Sequence, residues 1–357
     1  MSDVGIIGMG LSTGRNRLVA DDFKRMMKAV LGAGDRLGGL IDLAVEHSGV
    51  AERGVVLEQN PEGRWPFYED SEASPSTEAR MKVYQQFAPD LAEKAAKDAL
   101  VDAGSNPTSI THLVTVSCTG FMAPGLDAEL VQRLGLQKSV ERVHVGFMGC
   151  HAGVNGLRVA QGLAQHSGGL VLLVCVELCS IHFQYGSGRH DLLPNVLFGD
   201  GAAALVVGLA EAQLRVKGTA SFLLPNSESA MTWLIGNTGF RMTLSNQVPG
   251  LIEGALDGIL QEQLACWGIQ REQIVGWVVH PGGPRILEAV ETALGCEPKG
   301  LAASWKVLRS HGNMSSPTLF FVLSEILKQQ KTGYWVGMAF GPGLTIELVL
   351  FYLGKRS

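Results

Sequence analysis

Three side chains in this 357-residue sequence sit where their surroundings make them candidates for chemistry: Cys150, His280 and Asn313. Cys150 closes a short apolar run at Gly149, and beyond it Val154, Leu157, Ala160 and Ala164 recur at helical spacing. The free N–H groups and positive dipole end of that predicted helix favour a thiolate. A free thiol, with a reference pKa near ~8.5, is mostly protonated at neutral pH and needs further help. The same residue reads equally well as a buried, inert cysteine. His280 ends the apolar run Val275 to Val279 and opens the turn His280-Pro281-Gly282-Gly283-Pro284, where missing side chains let a ligand approach the backbone. A histidine satisfied by its own turn is the plainer alternative. Asn313 follows Gly312 and, taken alone, is a turn residue or a cap for the helix beyond it. Taken together the three types supply a nucleophile, an imidazole to stabilise it and an amide N–H to receive an oxyanion.

The elements that must position them follow from periodicity. Met81, Tyr84, Ala88, Leu91, Ala95 and Ala99 predict one long helix between Ser76 and Ala103, with Pro89 expected to kink it. Gly104 and Pro107 end it, and Ile110 to Ser117 is a β-branched run that stops at Cys118. Val143 to Phe147 reads as a short buried strand, and Gly168 to Cys179 as another. The second half repeats this grammar: a helix over Leu251 to Trp267, a strand over Val275 to Val279, a helix from Pro284, a helix from about Pro317 to Gln329, and closing strands at Tyr334 to Phe340 and Leu344 to Tyr352. Cys118 lies 32 residues before Cys150 and His280 lies 33 before Asn313, while the two pairs are offset by 162 and 163 residues. Equal spacing of this kind predicts a duplicated α/β body, with residues 1–212 carrying the cysteine, residues 213–357 carrying the histidine and asparagine, and the joint between Ala210 and Ser221. The opening run with Gly8, Gly10 and Gly14 lacks the helix and the later carboxylate that a dinucleotide loop requires.

Composition narrows the function classes. The chain is 46% apolar and 18% charged, below the roughly 25% charged usual in soluble domains, so it has a large core to bury and is not disordered or fibrous. Its net charge of −5, with no block of like charges, makes nucleic acid and anionic membrane poor partners. The low charge also points to surface covered by a second subunit. The longest apolar run, about twelve residues, is short of the ~20 needed to span a bilayer. Met1-Ser2-Asp3 and the glycines at 5, 8 and 10 do not make a secretory leader, so the cytoplasm is the expected compartment. Six scattered cysteines in such a chain are expected to be free thiols, and Cys175 and Cys179 have no second pair with which to hold a metal.

The stretches Gly149-Cys150, His280-Pro281-Gly282-Gly283, Gly312-Asn313-Met314-Ser315-Ser316, Phe340-Gly341-Pro342-Gly343-Leu344-Thr345 and Leu197-Phe198-Gly199-Asp200-Gly201-Ala202-Ala203-Ala204 resemble, in order and spacing, the type III polyketide synthases, the chalcone-synthase-like enzymes. The resemblance runs from about Glu78 to the end of the chain. It implies a thiolase-like αβαβα fold, a homodimer, no cofactor beyond CoA thioester substrates, and catalysis by Cys150, His280 and Asn313. Cys150 would accept a starter acyl group from acyl-CoA, its thiolate paired with protonated His280. Malonyl-CoA would lose CO₂ to an enolate held by Asn313 and His280, and that carbanion would attack the Cys150 thioester.

The resemblance further implies that Phe198 and Phe240 stand between CoA tunnel and chain cavity, that Ser315 and His182 line the cavity, that Gly282 and Gly283 flank the CoA entrance, and that Arg25 and Lys28 meet CoA phosphates. Ala123 stands where plant members carry a methionine, and Cys118 to Asp127 and Glu177 to Gln184 are similar to the bacterial branch, which points to alkylpyrone or alkylresorcinol products from acyl-CoA starters. The segment Leu31-Gly32-Ala33-Gly34-Asp35 interrupts the basic run expected near Arg25. Two alternatives stand beside this reading: a ketoacyl-ACP synthase III type condensing enzyme, which usually carries a different turn after its histidine, and a catalytically silent acyl-CoA-binding subunit.

Overall fold

The computed structural model describes residues 3–61, 64–68, 74–186, 188–296 and 300–355. Its strands are β1 (Val4–Thr13), β2 (Asn16–Val19), β3 (Glu52–Val55), β4 (Ile110–Ser117), β5 (Glu141–Gly146), β6 (Leu170–Leu178), β7 (Asp200–Gly208), β8 (Leu214–Leu223), β9 (Met231–Gly236), β10 (Gly239–Leu244), β11 (Ile274–Val279), β12 (Gly333–Gly341) and β13 (Thr345–Leu353). The helices are α1 (Ala20–Val30), α2 (Asp35–Glu46), α3 (Thr77–Asp102), α4 (Leu126–Leu134), α5 (Ala152–Ser167), α6 (Arg189–Leu197), α7 (Val248–Trp267), α8 (Pro284–Leu294), α9 (Ala302–His311) and α10 (Thr318–Leu327).

Nine strands form one mixed sheet in the order β11-β12-β13-β8-β1-β7-β6-β4-β5. The first half runs β1-β7-β6-β4 and the second β8-β13-β12-β11, each with two antiparallel pairs followed by a parallel one, so one wiring pattern occurs twice. The halves meet through β1 and β8, where Val4, Gly5 and Ile6 oppose Val216, Arg215 and Leu214. Alternation along each strand then builds the layers. Leu172, Val174 and Val176 of β6 face a core shared with α3, whereas Val171, Leu173 and Cys175 face a second core that takes in α5 and α10. On the other half Trp335 and Ala339 of β12 join that same central core, and Val336, Met338 and Phe340 turn outward to a third, with α7 and α8. Helices outside, sheet, helices between, sheet, helices outside: the thiolase-like duplicated arrangement expected from the sequence is present.

Local signals explain most elements. The Ser76 hydroxyl accepts from Ala79 N at 3.2 Å and caps α3, which runs unbroken through Pro89. Pro284 occupies the first position of α8, where its missing N–H costs nothing. Gly10, part of the run that superficially suggested a phosphate loop, permits close packing of β1 on α3: a Cβ there would stand 2.1 Å from the Ala95 carbonyl oxygen. Two expectations change. Val143 to Phe147 is not buried; β5 is an edge strand pairing only with β4, and Val143 is 38% exposed. The joint between halves is also shorter than expected, because β8 already begins at Leu214.

Candidate functional site

Four element ends converge on one cleft: Cys150 just ahead of α5, His280 just after β11, Asn313 between α9 and α10, and Phe198 just after α6. Gly149 has φ +87°, and a Cβ on it would lie 2.3 Å from the Pro342 ring, so only glycine brings Cys150 this close to the turn after β12. The Asn313 backbone is clamped to the Phe198 segment, its N–H donating to Leu197 O at 2.9 Å and its carbonyl accepting from Gly199 N at 3.0 Å. Its side chain is oriented too. Ser315 N–H donates to Asn313 Oδ1 at 2.7 Å, and Nδ2 donates toward Cys150 Sγ at 3.8 Å, the sulfur lying 4.0 Å from Oδ1.

Two cavities meet at this point and share Cys150, Phe198, Pro194 and Met242 as wall. The smaller, about 430 Å³ with its mouth included, also holds His280, Asn313 and Gly282. The larger, about 940 Å³ with its mouth included, holds Ser315, His182 and Phe240. Phe198 therefore stands on the partition. Phe240 lines only the larger cavity, inside an aromatic cluster with His182, Trp233 and Phe147. His182 is buried, stacked on Phe240 at 4.2 Å. Its Nδ1 accepts from Phe240 N at 3.0 Å, which leaves Nε2–H to donate to Thr119 O at 2.7 Å. Gly283 lines neither cavity and opens α8. Arg25 and Lys28 lie on α1 away from both, Arg25 paired with Asp22 and Lys28 2.8 Å from Asp42.

Electrostatics set the resting state of the pair. Burial pushes the Cys150 thiol up to about 11 against the lowering pull of Ser315 and Asn313. Burial likewise takes the His280 imidazole down to about 3, with the neighbouring His151 acting in the same direction. Among the described residues, neither ring nitrogen of His280 has a hydrogen-bond partner. Desolvation therefore favours thiol and neutral imidazole, and the ion pair implied by the resemblance needs direct Sγ–imidazole contact to offset it.

Sequence reading missed Glu177, whose signal was a lone carboxylate inside the most apolar run. It is fully buried beneath the cleft, accepting from Cys118 N at 2.9 Å, Thr119 Oγ1 at 2.7 Å and Ser316 Oγ at 2.5 Å, and burial raises its pKa to about 7. Cys118 was also passed over as a plain buried thiol. It lines the larger cavity beside Cys150, and its Sγ accepts from Gly149 N at 3.0 Å. The six cysteines are free thiols, and among the described residues no cluster of histidine, cysteine or carboxylate has the makings of a metal site.

Residues 44–211 match the family model of chalcone and stilbene synthases, N-terminal domain, and residues 215–353 match the C-terminal domain of the same family. The chain belongs to the chalcone and stilbene synthase family. It is 37% identical over 289 residues, 78% of this chain and 74% of the other, to the alpha-pyrone synthesis polyketide synthase-like Pks18 of Mycobacterium tuberculosis, with the same figures for Mycobacterium bovis. Among solved structures, a polyketide synthase from the brown alga Ectocarpus siliculosus superposes with a TM-score of 0.93 at 28% identity, covering 99% of both chains. The C-terminal type III polyketide synthase domain of Steely1 from Dictyostelium gives 0.91 at 28%, covering 98% of this chain and 99% of that one. The protein is thus a type III polyketide synthase, an acyltransferase-type condensing enzyme that uses acyl-CoA and malonyl-CoA, and the ketoacyl-ACP synthase alternative is set aside. Among the described residues, no helix of the synthase is long and apolar enough to cross a membrane.

Proposed function

We propose that Cys150 is the acyl-carrying nucleophile of this synthase, that His280 and Asn313 stabilise the oxyanions, and that the product is an alkylpyrone or alkylresorcinol built on an acyl-CoA starter. The observation that carries this is the fixed Asn313 amide, whose oxygen is held by Ser315 N–H so that its N–H faces the Cys150 sulfur in the cavity that also holds His280. Sγ attacks the starter thioester carbonyl, its proton passes to His280, and CoA leaves as the thiol once it takes that proton. Malonyl-CoA then loses CO₂, and its enolate oxygen is received by Asn313 Nδ2–H and an N–H of His280, whose two nitrogens are otherwise unpartnered. The enolate carbon attacks the Cys150 thioester, the C–S bond breaks, and the sulfur is released to accept the chain again.

Phe198 is the gate, because it forms wall in both cavities. Phe240, Ser315 and His182 shape the growing-chain cavity, and the apolar stretch of that cavity contributed by Phe23, Met26 and Leu57 supports an aliphatic starter. Gly282 and Gly283 flank the CoA mouth. Arg25 and Lys28 meet CoA phosphates; their present ion pairs are exposed and therefore weak enough to exchange. The synthase acts as a homodimer in the cytoplasm, with β5 at the interface: this unpaired edge is exposed, and Phe121 (40% exposed) and Met148 (42% exposed) are the kind of large apolar side chains an interface covers.

Intact-protein mass spectrometry after mixing with decanoyl-CoA tests the central claim. An acyl adduct on Cys150 that disappears when malonyl-CoA is added is expected. Absence of any adduct would return the protein to the silent acyl-CoA-binding class.

A further inference from the structure

The two cavities converge on one stretch of surface. Pro194 of α6 and Met242 of β10 form wall in both and are half-buried. On the larger side the wall continues outward past them to Asp191, one helical turn before Pro194, and to Arg241, the neighbour of Met242. Among the described residues that line either cavity, Arg241 alone is exposed, with 63% of its side chain open to solvent. Arg241 therefore marks the mouth. Asp191, Pro194, Asn195 and Phe198 lie at helical spacing along α6 and its C-terminal cap, and all four line the larger cavity. The way from the Phe198 partition to the mouth thus follows one helix face for about 10 Å. At the mouth Arg241 Nη2 donates to Asp191 Oδ1 at 3.2 Å. An exposed pair of this kind is weak and gives way to a more highly charged anion.

We propose that Arg241 binds the phosphates of incoming CoA thioesters, exchanging Asp191 for the CoA diphosphate as the pantetheine arm threads the mouth. This inference rests on the reading of Cys150 as the acylated residue, because the arm then has to run from that sulfur to the surface. The pantetheine arm is longer than the stretch from Phe198 to Asp191, so the phosphates emerge beyond Pro194 and Met242, where the guanidinium stands. A planar guanidinium pairs bidentately with phosphate oxygens. Arg25 and Lys28 line neither cavity and can meet only the part of CoA that lies outside, whereas Arg241 stands on the path itself.

The test compares malonyl-CoA with malonyl-N-acetylcysteamine, which keeps the reacting end and lacks the phosphates, each with saturating decanoyl-CoA and the full-length synthase. In Arg241→Ala, kcat/KM for malonyl-CoA is expected to fall by about tenfold, through KM rather than kcat, and far less for malonyl-N-acetylcysteamine; Arg241→Lys should recover part of the loss. The rise of KM for malonyl-CoA with added potassium chloride should be flatter in Arg241→Ala than in the wild type. An equal loss with both thioesters would make Arg241 a shaper of the mouth and overturn the phosphate contact, as would a KM and a salt dependence that Arg241→Ala leaves intact. The salt comparison decides even if the short thioester is too poor a substrate to measure. Wild-type synthase that forms no product from either thioester overturns the reading of Cys150 as acyl carrier, and the phosphate contact with it.

Discussion

The two cavities that meet at Cys150 are built from different material. The smaller is lined by residues at the ends of regular elements, His280 after β11 and Asn313 before α10, and backbone hydrogen bonds tie each to a neighbouring element: His280 N to Met338 O at 2.8 Å, Asn313 N to Leu197 O at 2.9 Å. The larger is lined by side chains from segments far apart in the chain, among them Leu18, Trp65, Phe183 and Trp233. On the proposed function the contrast separates chemistry, which needs donors held in one geometry, from selection of the chain, which needs volume and a few polar contacts.

The comparison can be broken most directly at its shared wall. Cys150→Ala is expected to abolish the acyl adduct and all condensation while malonyl-CoA decarboxylation, measured as CO₂ release, continues. Loss of both would mean the sulfur also serves the smaller cavity's chemistry. Asn313→Ala should cut decarboxylation by ~10²–10³, on the order of 2.7–4 kcal/mol, as removal of a single oxyanion donor does, with starter loading at Cys150 affected far less. Equal loss in the two steps would show that the amide orients Cys150 rather than receiving the enolate.

Glu177→Gln tests the ground beneath both cavities. The Glu177 carboxyl has a folded-state pKa raised from 4.5 to about 7, so its neutral form contributes stability that is fully present below pH 4.5 and lost as pH rises through about 7. Relative to the glutamine variant, the wild type should lose on the order of 3 kcal/mol over that interval, read from urea midpoints. A constant difference between the two across that range would show that the carboxyl stays ionised. The smallest effect is expected at the gate. Phe198→Leu keeps an apolar side chain of reduced width, so stability should change by less than about 1.5 kcal/mol. The distribution of product lengths from a mixed acyl-CoA pool should shift, and an unchanged distribution would move the gate away from Phe198.

The candidate residues that meet in the smaller cavity were legible before any fold was known, because each sits at a local event. A glycine-flanked cysteine ahead of a helical pattern, a histidine closing a β-branched run and an asparagine between helices can each be found within about fifteen residues of sequence. The duplicated order of elements could be read the same way, from recurring spacings, and the family motifs lie on those same turns. Much of the rest was not local. β5 reads as an apolar strand, and only its place at the edge of the sheet leaves Val143 exposed. Arg53 sits in an unremarkable Glu-Arg-Gly stretch, yet its guanidinium closes the carbonyl end of α6 more than 140 residues away. Glu177 is one charge in an apolar run until Cys118, Thr119 and Ser316 are folded around it.

Residue type, periodicity and the placement of glycine and proline by themselves pointed to a layered α/β class and to Cys150, His280 and Asn313 as candidates for chemistry, since backbone sterics and helix or strand periods act over a few neighbours; the condensing reaction came from the family resemblance. Only the tertiary structure decided which side chains share a wall, that both His280 ring nitrogens lack a hydrogen-bond partner among the described residues, and that Phe198 divides two cavities. Cavity shape and desolvation arise from the packing of segments scores to hundreds of residues apart, and no local pattern encodes the space left between them.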